Sequence, residues 1–248
     1  MGNRIITRTV TTLTSTTKTQ EFPGCYELVG ISADYGDSAS GSVLTIKEKD
    51  SDGLTKFTIS TDTDFGTTVP LRIFHDARLI AGTATAGVGL NPVFFEGVYV
   101  SLTAPSATTN SQVTLWLRPL IYKKVQLTGV TDAKVAFQGS GMLKGARVNY
   151  GSDVDTGADI QISDTVTITS SAPAAPHLTV VGNTATDWAA VNQQVVTTTN
   201  TDEAGTGVTT AATGSYANDG VCFRTGLTVG IAQGTALAGA VVDFAIEA

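Results

Sequence analysis

The sequence predicts an all-β protein made of two tandem antiparallel β-sandwich domains, jelly-roll-like and related by internal duplication. Three observations support this prediction. Apolar and polar residues alternate with a period of two, and turn-forming residues interrupt the chain roughly every 8–12 residues. In addition, the two halves of the chain open and close with similar segments.

The alternation predicts strands with one buried face. Val113, Leu115 and Leu117 alternate with Thr114 and Trp116, so the three aliphatic side chains share one face of an extended chain. Such strands are typical of antiparallel sheets that bury one face. The other alternating sets are Leu44/Ile46, Phe57/Ile59, Val98/Val100/Leu102, Ile160/Ile162, Val166/Ile168, Leu227/Val229/Ile231 and Val242/Phe244/Ile246.

The similar segments predict where the domains begin and end. Residues 28–36 align with 143–151 at an offset of 115 (143 − 28), and residues 97–102 align with 226–231 at an offset of 129 (226 − 97). We therefore expect a first domain at 1–120, including an N-terminal arm, and a second at 121–248. The difference of 14 residues (129 − 115) is expected in a longer central loop of the second domain, about 195–219.

Composition narrows the classes of function. The 248 residues suffice for two domains of about 120 residues each. With a net charge of −7 and no basic stripe, we expect no nucleic-acid partner. No apolar run approaches the roughly 20 residues that span a bilayer, so no membrane partner is expected. Residues 1–22 lack the apolar centre of a signal peptide, which predicts assembly in the cytoplasm of the producing cell.

No pattern typical of catalysis stands out, and we expect a non-enzymatic protein without a cofactor. His75 and His177 occupy non-equivalent positions in the two halves, and no G-x-S-x-G motif is present. A hydrolase stays an alternative, because catalytic groups converge in space and not in sequence. Cys25 and Cys222 are expected to be free, buried thiols.

Small groups of carboxylates raise the question of a calcium site. Glu48, Asp50 and Asp52 precede Gly53, which resembles part of a calcium-binding loop, but the closing Glu is absent at the required distance. Solvated turn residues are the preferred interpretation, and no metal site is predicted.

Three regions are predicted to contact partners. Met1–Ile6 is expected to be a loose arm that becomes ordered only against a partner, and Asn3–Thr16 is expected to make partner contacts. Trp116 is out of phase with its core row and therefore faces away from it. The 195–219 loop carries the adjacent acidic residues Asp202 and Glu203. The candidate contact residues are Arg4, Ile5, Arg8, Val10, Trp116, Asp202 and Glu203.

The end of the first half resembles a known class of protein. Residues 94–102 form a Gly-aliphatic-x-Val-x-Leu strand, which is followed by a turn of small residues and the alternating strand 113–117. This pattern resembles the small β-sandwich modules of tailed-bacteriophage virion proteins, of the capsid decoration (cement) type. The resemblance implies a homotrimer on the outer capsid surface of the virion that stabilises contacts between subunits of the major capsid protein.

A second interpretation is a carbohydrate- or receptor-binding β-sandwich module of a phage tail or fibre. Such a module would expose Trp116, Tyr99 or Trp188 on a concave face. Binding to purified empty heads would favour the decoration protein, whereas binding to host cells or glycans would favour the module.

Overall fold

The computed structural model consists of antiparallel β-sheets. The described residues form 18 strands and no helix. Among them there is therefore no helix long and apolar enough to cross a membrane. The chain divides into two compact units, unit 1 (Met1–Leu120) and unit 2 (Ile121–Ala248). The structure describes residues 5–12, 17–34, 42–53, 55–60, 71–74, 93–103, 111–128, 132–149, 159–168, 178–181, 193–195, 221–231 and 240–248.

Unit 1 contains two sheets among these residues. The first has the order β1-β9-β3-β6, with β7 also pairing with β3, and the second has the order β2-β8-β4-β5. Its strands are β1 (Ile6–Thr12), β2 (Thr17–Pro23), β3 (Tyr26–Asp34), β4 (Val43–Glu48), β5 (Thr55–Ser60), β6 (Leu71–Phe74), β7 (Val93–Phe94), β8 (Gly97–Thr103) and β9 (Ser111–Pro119).

Unit 2 repeats this arrangement. One sheet has the order β10-β18-β12-β15, with β16 also pairing with β12, and the other has the order β11-β17-β13-β14. Its strands are β10 (Ile121–Leu127), β11 (Ala133–Gln138), β12 (Gly141–Asn149), β13 (Asp159–Asp164), β14 (Leu178–Val181), β15 (Gln193–Val195), β16 (Val221–Phe223), β17 (Gly226–Ile231) and β18 (Ala240–Glu247).

Period-two alternation explains the core of each unit. In β4, Leu44 and Ile46 are fully buried, while Val43, Thr45 and Lys47 are half-buried. Each unit has its own apolar cluster, as expected for a sandwich whose two sheets each bury one face. The cluster of unit 1 includes Leu28, Ile31, Leu44, Ile46, Phe94, Val98, Val100, Leu102, Val113, Leu115 and Leu117. The cluster of unit 2 includes Leu127, Leu143, Ala146, Ile160, Ile162, Phe223, Leu227, Val229, Val242, Phe244 and Ile246.

One predicted strand is wrong. Val166 and Ile168 lie outside any strand, and their side chains are 37% and 47% exposed. Strand β13 ends at Asp164, whose side chain accepts hydrogen bonds from the turn before β17. The chain then leaves the sheet. Because Val166 and Ile168 pair with no neighbouring strand among the described residues, their apolar side chains stay exposed.

The strands of the two units correspond one to one in order, and their registers match apart from a bulge in β4–β5 that β13–β14 lacks and one in β11–β17 that β2–β8 lacks. Matching residues by their cross-strand partners shows where unit 2 is longer: about half of the 14 extra residues lie between β15 and β16, the segment expected to contain all of them. The offsets are 115 at β10 (121 − 6) and β12 (143 − 28), 116 at β13 (164 − 48), 121 at β14 (180 − 59), 122 at β15 (195 − 73) and 129 at β16 (223 − 94).

A β-bulge also occurs at the same place in both units. The register of β3 against β9 shifts between Leu28 and Gly30, and that of β12 against β18 shifts between Leu143 and Gly145. One extra residue at each bulge reverses the in-out alternation beyond it. As a result Leu28 and Ile31, three residues apart, both point into the core of unit 1.

Candidate partner-binding surface

Strand β1 lies at the edge of the first sheet of unit 1 and presents exposed residues. It pairs with β9 over seven residues without a register shift, and it pairs with no second strand among the described residues. Thr7, Arg8 and Thr9 are exposed, and Ile5, just before the strand, is 47% exposed. The structure thus brings Ile5 and Arg8 of the predicted contact residues together at one sheet edge.

The Arg8 guanidinium is directed toward the second sheet. Its central carbon lies 5.9 Å from the centroid of the Phe22 ring on β2, a distance at which a cation attracts the face of an aromatic ring. Phe22 is partly buried and packs against the core of unit 1. The only charged side chain of β1 therefore reaches from the first sheet of unit 1 toward β2 of the second sheet.

The remaining arm and loop residues are placed only in part. Val10 lies in β1 opposite Val113 of β9, and its side chain is outside the described residues. Arg4, Asp202 and Glu203 also lie outside the described residues. Their predicted role as partner contacts stays a prediction.

Trp116 faces away from the core of unit 1, as its phase in β9 predicts. It is half-buried, whereas Leu115 and Leu117 are completely buried. Its cross-strand neighbours are Thr7 on β1 and Gly30 on β3, so one row of the sheet surface contains an aromatic ring between two small residues. Of the other aromatic candidates, Tyr99 is buried, and Trp188 lies outside the described residues.

Charged residues lie on the face of the first sheet that is opposite the core in each unit. In unit 1 Arg118 Nη1 donates to Glu27 Oε2 at 2.7 Å, and Glu27 is buried. Sequence reasoning missed this pair because the bulge decides which residues of β3 face each way.

Unit 2 has a larger polar cluster on the equivalent face. Arg147 donates from Nε and Nη2 to Asp243 Oδ2 at 2.9 and 2.6 Å, and the Tyr122 hydroxyl donates to Asp243 Oδ1 at 2.8 Å. Arg147 and Asp243 are both buried. Nearby in the sheet register, Lys144 Nζ lies 3.4 Å from Glu247 Oε2. Buried charges of this kind require close pairing, which these distances provide.

Each unit uses a carboxylate at the end of its fourth strand to bind the turn before its eighth. Glu48 Oε1 accepts hydrogen bonds from the backbone N–H groups of Phe95 and Glu96, both at 2.9 Å. Asp164 occupies the matching position in unit 2. Asp164 accepts from the N–H groups of Arg224, Thr225 and Gly226 at 2.8, 2.7 and 3.2 Å. Glu48 therefore has a structural role, because it holds the turn before β8. This role is separate from the calcium-binding loop that the sequence resembles.

The predicted turn at Asp50 and Asp52 is stabilised by a hydrogen bond between these two residues. The Asp52 N–H donates to Asp50 Oδ1 at 3.0 Å, and no cluster of three or more metal-binding side chains occurs within the described ranges. Neither Cys25 nor Cys222 forms a disulfide; Cys25 is buried as expected, but the expectation of a buried Cys222 is wrong, because its side chain is exposed on the short strand β16. His75 and His177 lie outside the described residues, so the expectation of non-catalytic histidines stays a prediction.

One exposed loop carboxylate has a shifted pKa. Partial burial raises the pKa of Asp132, but hydrogen bonds from the Thr128 N–H and hydroxyl and the nearby Lys134 ammonium outweigh burial and lower it. The Thr128 N–H and hydroxyl donate to Asp132 Oδ2 at 2.8 and 3.0 Å, and Lys134 Nζ lies 3.3 Å away. These contacts of Thr128 and Lys134 explain why the pKa of Asp132 lies below its ordinary value.

Comparison with known proteins adds no identification. No protein-family model matches the chain, and no curated protein matches it either.

Proposed function

We propose that the chain is a non-enzymatic structural protein of a phage virion, which binds the outer capsid surface and stabilises contacts between major capsid subunits. The observation that carries this proposal is the strand order. With β7 set aside, the eight strands of unit 1 follow the order of a jelly roll, in which strands B to I form the sheets B-I-D-G and C-H-E-F. Jelly rolls are common in viral capsid proteins and in lectins.

We further propose that the two units arose by internal duplication. Identical strand order, matching cross-strand register, the bulge after Leu28 and Leu143, and the carboxylates Glu48 and Asp164 support this origin. A repeated sandwich is typical of a protein that offers surfaces to neighbours. One fold hosts many unrelated functions, so the function of this chain depends on specific surface residues.

The contact surface that we propose is the exposed start of unit 1. Ile5 is a large apolar side chain with 47% exposure, and it precedes an edge strand whose polar residues are almost all threonine. A large exposed apolar side chain supplies burial against a neighbouring protein, and this contact does not use the backbone edge of β1. The major capsid protein is the proposed partner at this surface.

Co-sedimentation with purified empty heads tests the proposal. We expect the wild-type chain to pellet with heads, and an Ile5→Asp/Arg8→Glu double variant to bind at least about tenfold more weakly, which corresponds to about 1.4 kcal/mol. Lys123→Glu is the matched control, because Lys123 is exposed at the position of β10 equivalent to Arg8 (123 − 8 = 115). A wild-type chain that stays in the supernatant at all head concentrations would contradict the proposal.

A carbohydrate-binding role is the second candidate, and Trp116 is the observation that favours it. The ring lies half-exposed in a row with Thr7 and Gly30, small neighbours that suit stacking against a flat ligand. If this role is correct, a glycan array binds the wild-type chain and loses signal with Trp116→Ala. An unchanged signal in that variant would exclude Trp116 as the sugar platform.

A further inference from the structure

The strand at the start of unit 1 is an edge without the usual protection against pairing. Proteins protect long edge strands with charges, prolines or bulges. β1 has seven residues, no proline and no register shift against β9, and its one charged residue is Arg8. Because the Arg8 guanidinium lies over the Phe22 ring, the charge is directed toward β2.

Two other seven-residue edge strands in the chain carry this protection. β10, the equivalent strand of unit 2, has exposed Lys123 and Lys124 side by side. β2 has exposed Lys18 and ends at Pro23, whose nitrogen cannot donate a hydrogen bond. Of these three edges, β1 alone has neither a lysine nor a proline, and its one charged side chain, Arg8, lies over the Phe22 ring.

We propose that β1 pairs antiparallel with β1 of a second copy of this chain across a two-fold axis. Two identical antiparallel strands pair about one residue, which faces itself in the partner. For a strand that runs from Ile6 to Thr12 the central residue is Thr9, and pairing about it uses all seven residues. This overlap forms roughly six to eight backbone hydrogen bonds between the copies.

Charge decides in favour of this register. About Thr9, Arg8 lies opposite the partner's Val10, Thr7 lies opposite the partner's Thr11, and no like charges meet. A one-residue shift of the centre to Arg8 would place two guanidinium groups opposite each other, which is destabilising. The corresponding pairing of β10 centres on Lys124 and brings two ammonium groups together, so the same contact is disfavoured in unit 2.

The proposed contact gives a dimer, or an assembly built from dimers, in place of the trimer that the virion resemblance implies. It concerns the purified chain alone and does not depend on capsid binding. The pairing joins the first sheets of two copies into one continuous sheet, with Trp116 in the strand next to the new contact.

Cysteine cross-linking tests the register. In a Cys222→Ser background, which removes the exposed thiol, Thr9→Cys places two sulfurs across the axis at a Cα separation of about 4.5–5.5 Å, within the range for a disulfide. We expect most of this variant to form a covalent dimer on mild oxidation at micromolar concentration. The matched control is Thr7→Cys in the same background, because Thr7 faces the partner's Thr11 and the two introduced thiols would lie four residues, roughly 13 Å, apart along the strands. We expect at least tenfold less cross-linking of this control.

Sedimentation equilibrium tests the association without a cross-link. We expect the wild-type chain to be dimeric, and Thr9→Lys to weaken association at least tenfold, since it gives β1 the lysine that β10 has at this position. Thr9→Ser should keep the wild-type mass. A monomeric or trimeric wild-type chain would overturn the proposal, as would equal cross-linking at Thr9 and Thr7. Circular dichroism of each variant checks that the sheets are intact.

Discussion

At the scale of single residues, the most consequential contact is the buried pair of Arg147 and Asp243. Arg147 donates twice to one carboxylate oxygen, and Tyr122 donates to the other. Burying two charges removes their hydration, so the pair is tolerated only while both members and their hydrogen bonds are present. The equivalent of Asp243 in unit 1 is Thr114 (243 − 129), so the pair is specific to unit 2.

Removing one member of this pair should be much more harmful than removing both. We expect Asp243→Leu to lower the free energy of unfolding by about 3–5 kcal/mol, because it leaves the Arg147 guanidinium buried without a counter-charge. The double variant Arg147→Met/Asp243→Leu should recover most of this loss. Urea denaturation measures both values, with Thr114→Val as a control expected within about 0.5 kcal/mol of wild type. Equal losses in the single and double variants would refute this account.

At the scale of elements, the turns that enter β8 and β17 are built alike. Gly97 has a φ of +150° and Gly226 a φ of +157°, backbone conformations that other residues rarely adopt. Each turn is held by the carboxylate of the preceding fourth strand, Glu48 or Asp164. Because the two turns differ in how closely neighbours approach, the same substitution should have unequal effects.

Alanine at three glycines should give a ranked series of stabilities. A methyl group at Gly226 would lie 2.5 Å from the Phe137 carbonyl oxygen, one at Gly97 would lie 3.1 Å from that of Phe22, and one at Gly139 would meet only Phe137 Cε1 at 3.7 Å. We expect Gly139→Ala to cost about 1–3 kcal/mol through its φ of +112° alone. Gly97→Ala should cost more and Gly226→Ala most. Thermal unfolding checks the order, and a Gly226→Ala variant as stable as Gly139→Ala would contradict it.

The same elements show what the sequence can and cannot predict. Alternation identified Leu115 and Val113 as core residues, since a regular strand keeps its phase. The faces of Arg147 and Glu27 were not predicted, because the bulge shifts the phase of β3 and β12; the local signal that could have indicated it is the glycine within each strand, Gly30 or Gly145. Val166 and Ile168 show the alternation of a strand. Whether a segment pairs in a sheet depends on residues distant in the sequence, and local alternation gives no information about these.

At the scale of the whole molecule, the two units share one strand order and differ in the lengths of the connections between strands. The extra length of unit 2 is concentrated between β13 and β14, where the offset rises from 116 to 121, and between β15 and β16, where it rises from 122 to 129. The strands that form the two cores keep their register through these changes. Extra residues therefore enter connections, where they do not disturb packing.

Because the two clusters of core residues share no member, a core defect should be felt mainly in its own unit. Leu115 and Phe244 occupy equivalent positions (244 − 115 = 129), and both are completely buried. We expect Leu115→Ala to cost about 2–5 kcal/mol and Phe244→Ala about 3–5 kcal/mol, from lost burial and the cavity left behind. Hydrogen exchange read by mass spectrometry should show faster exchange in 1–120 for the first variant and in 121–248 for the second. Equal acceleration in both halves by either variant would mean that the chain opens as a single cooperative unit.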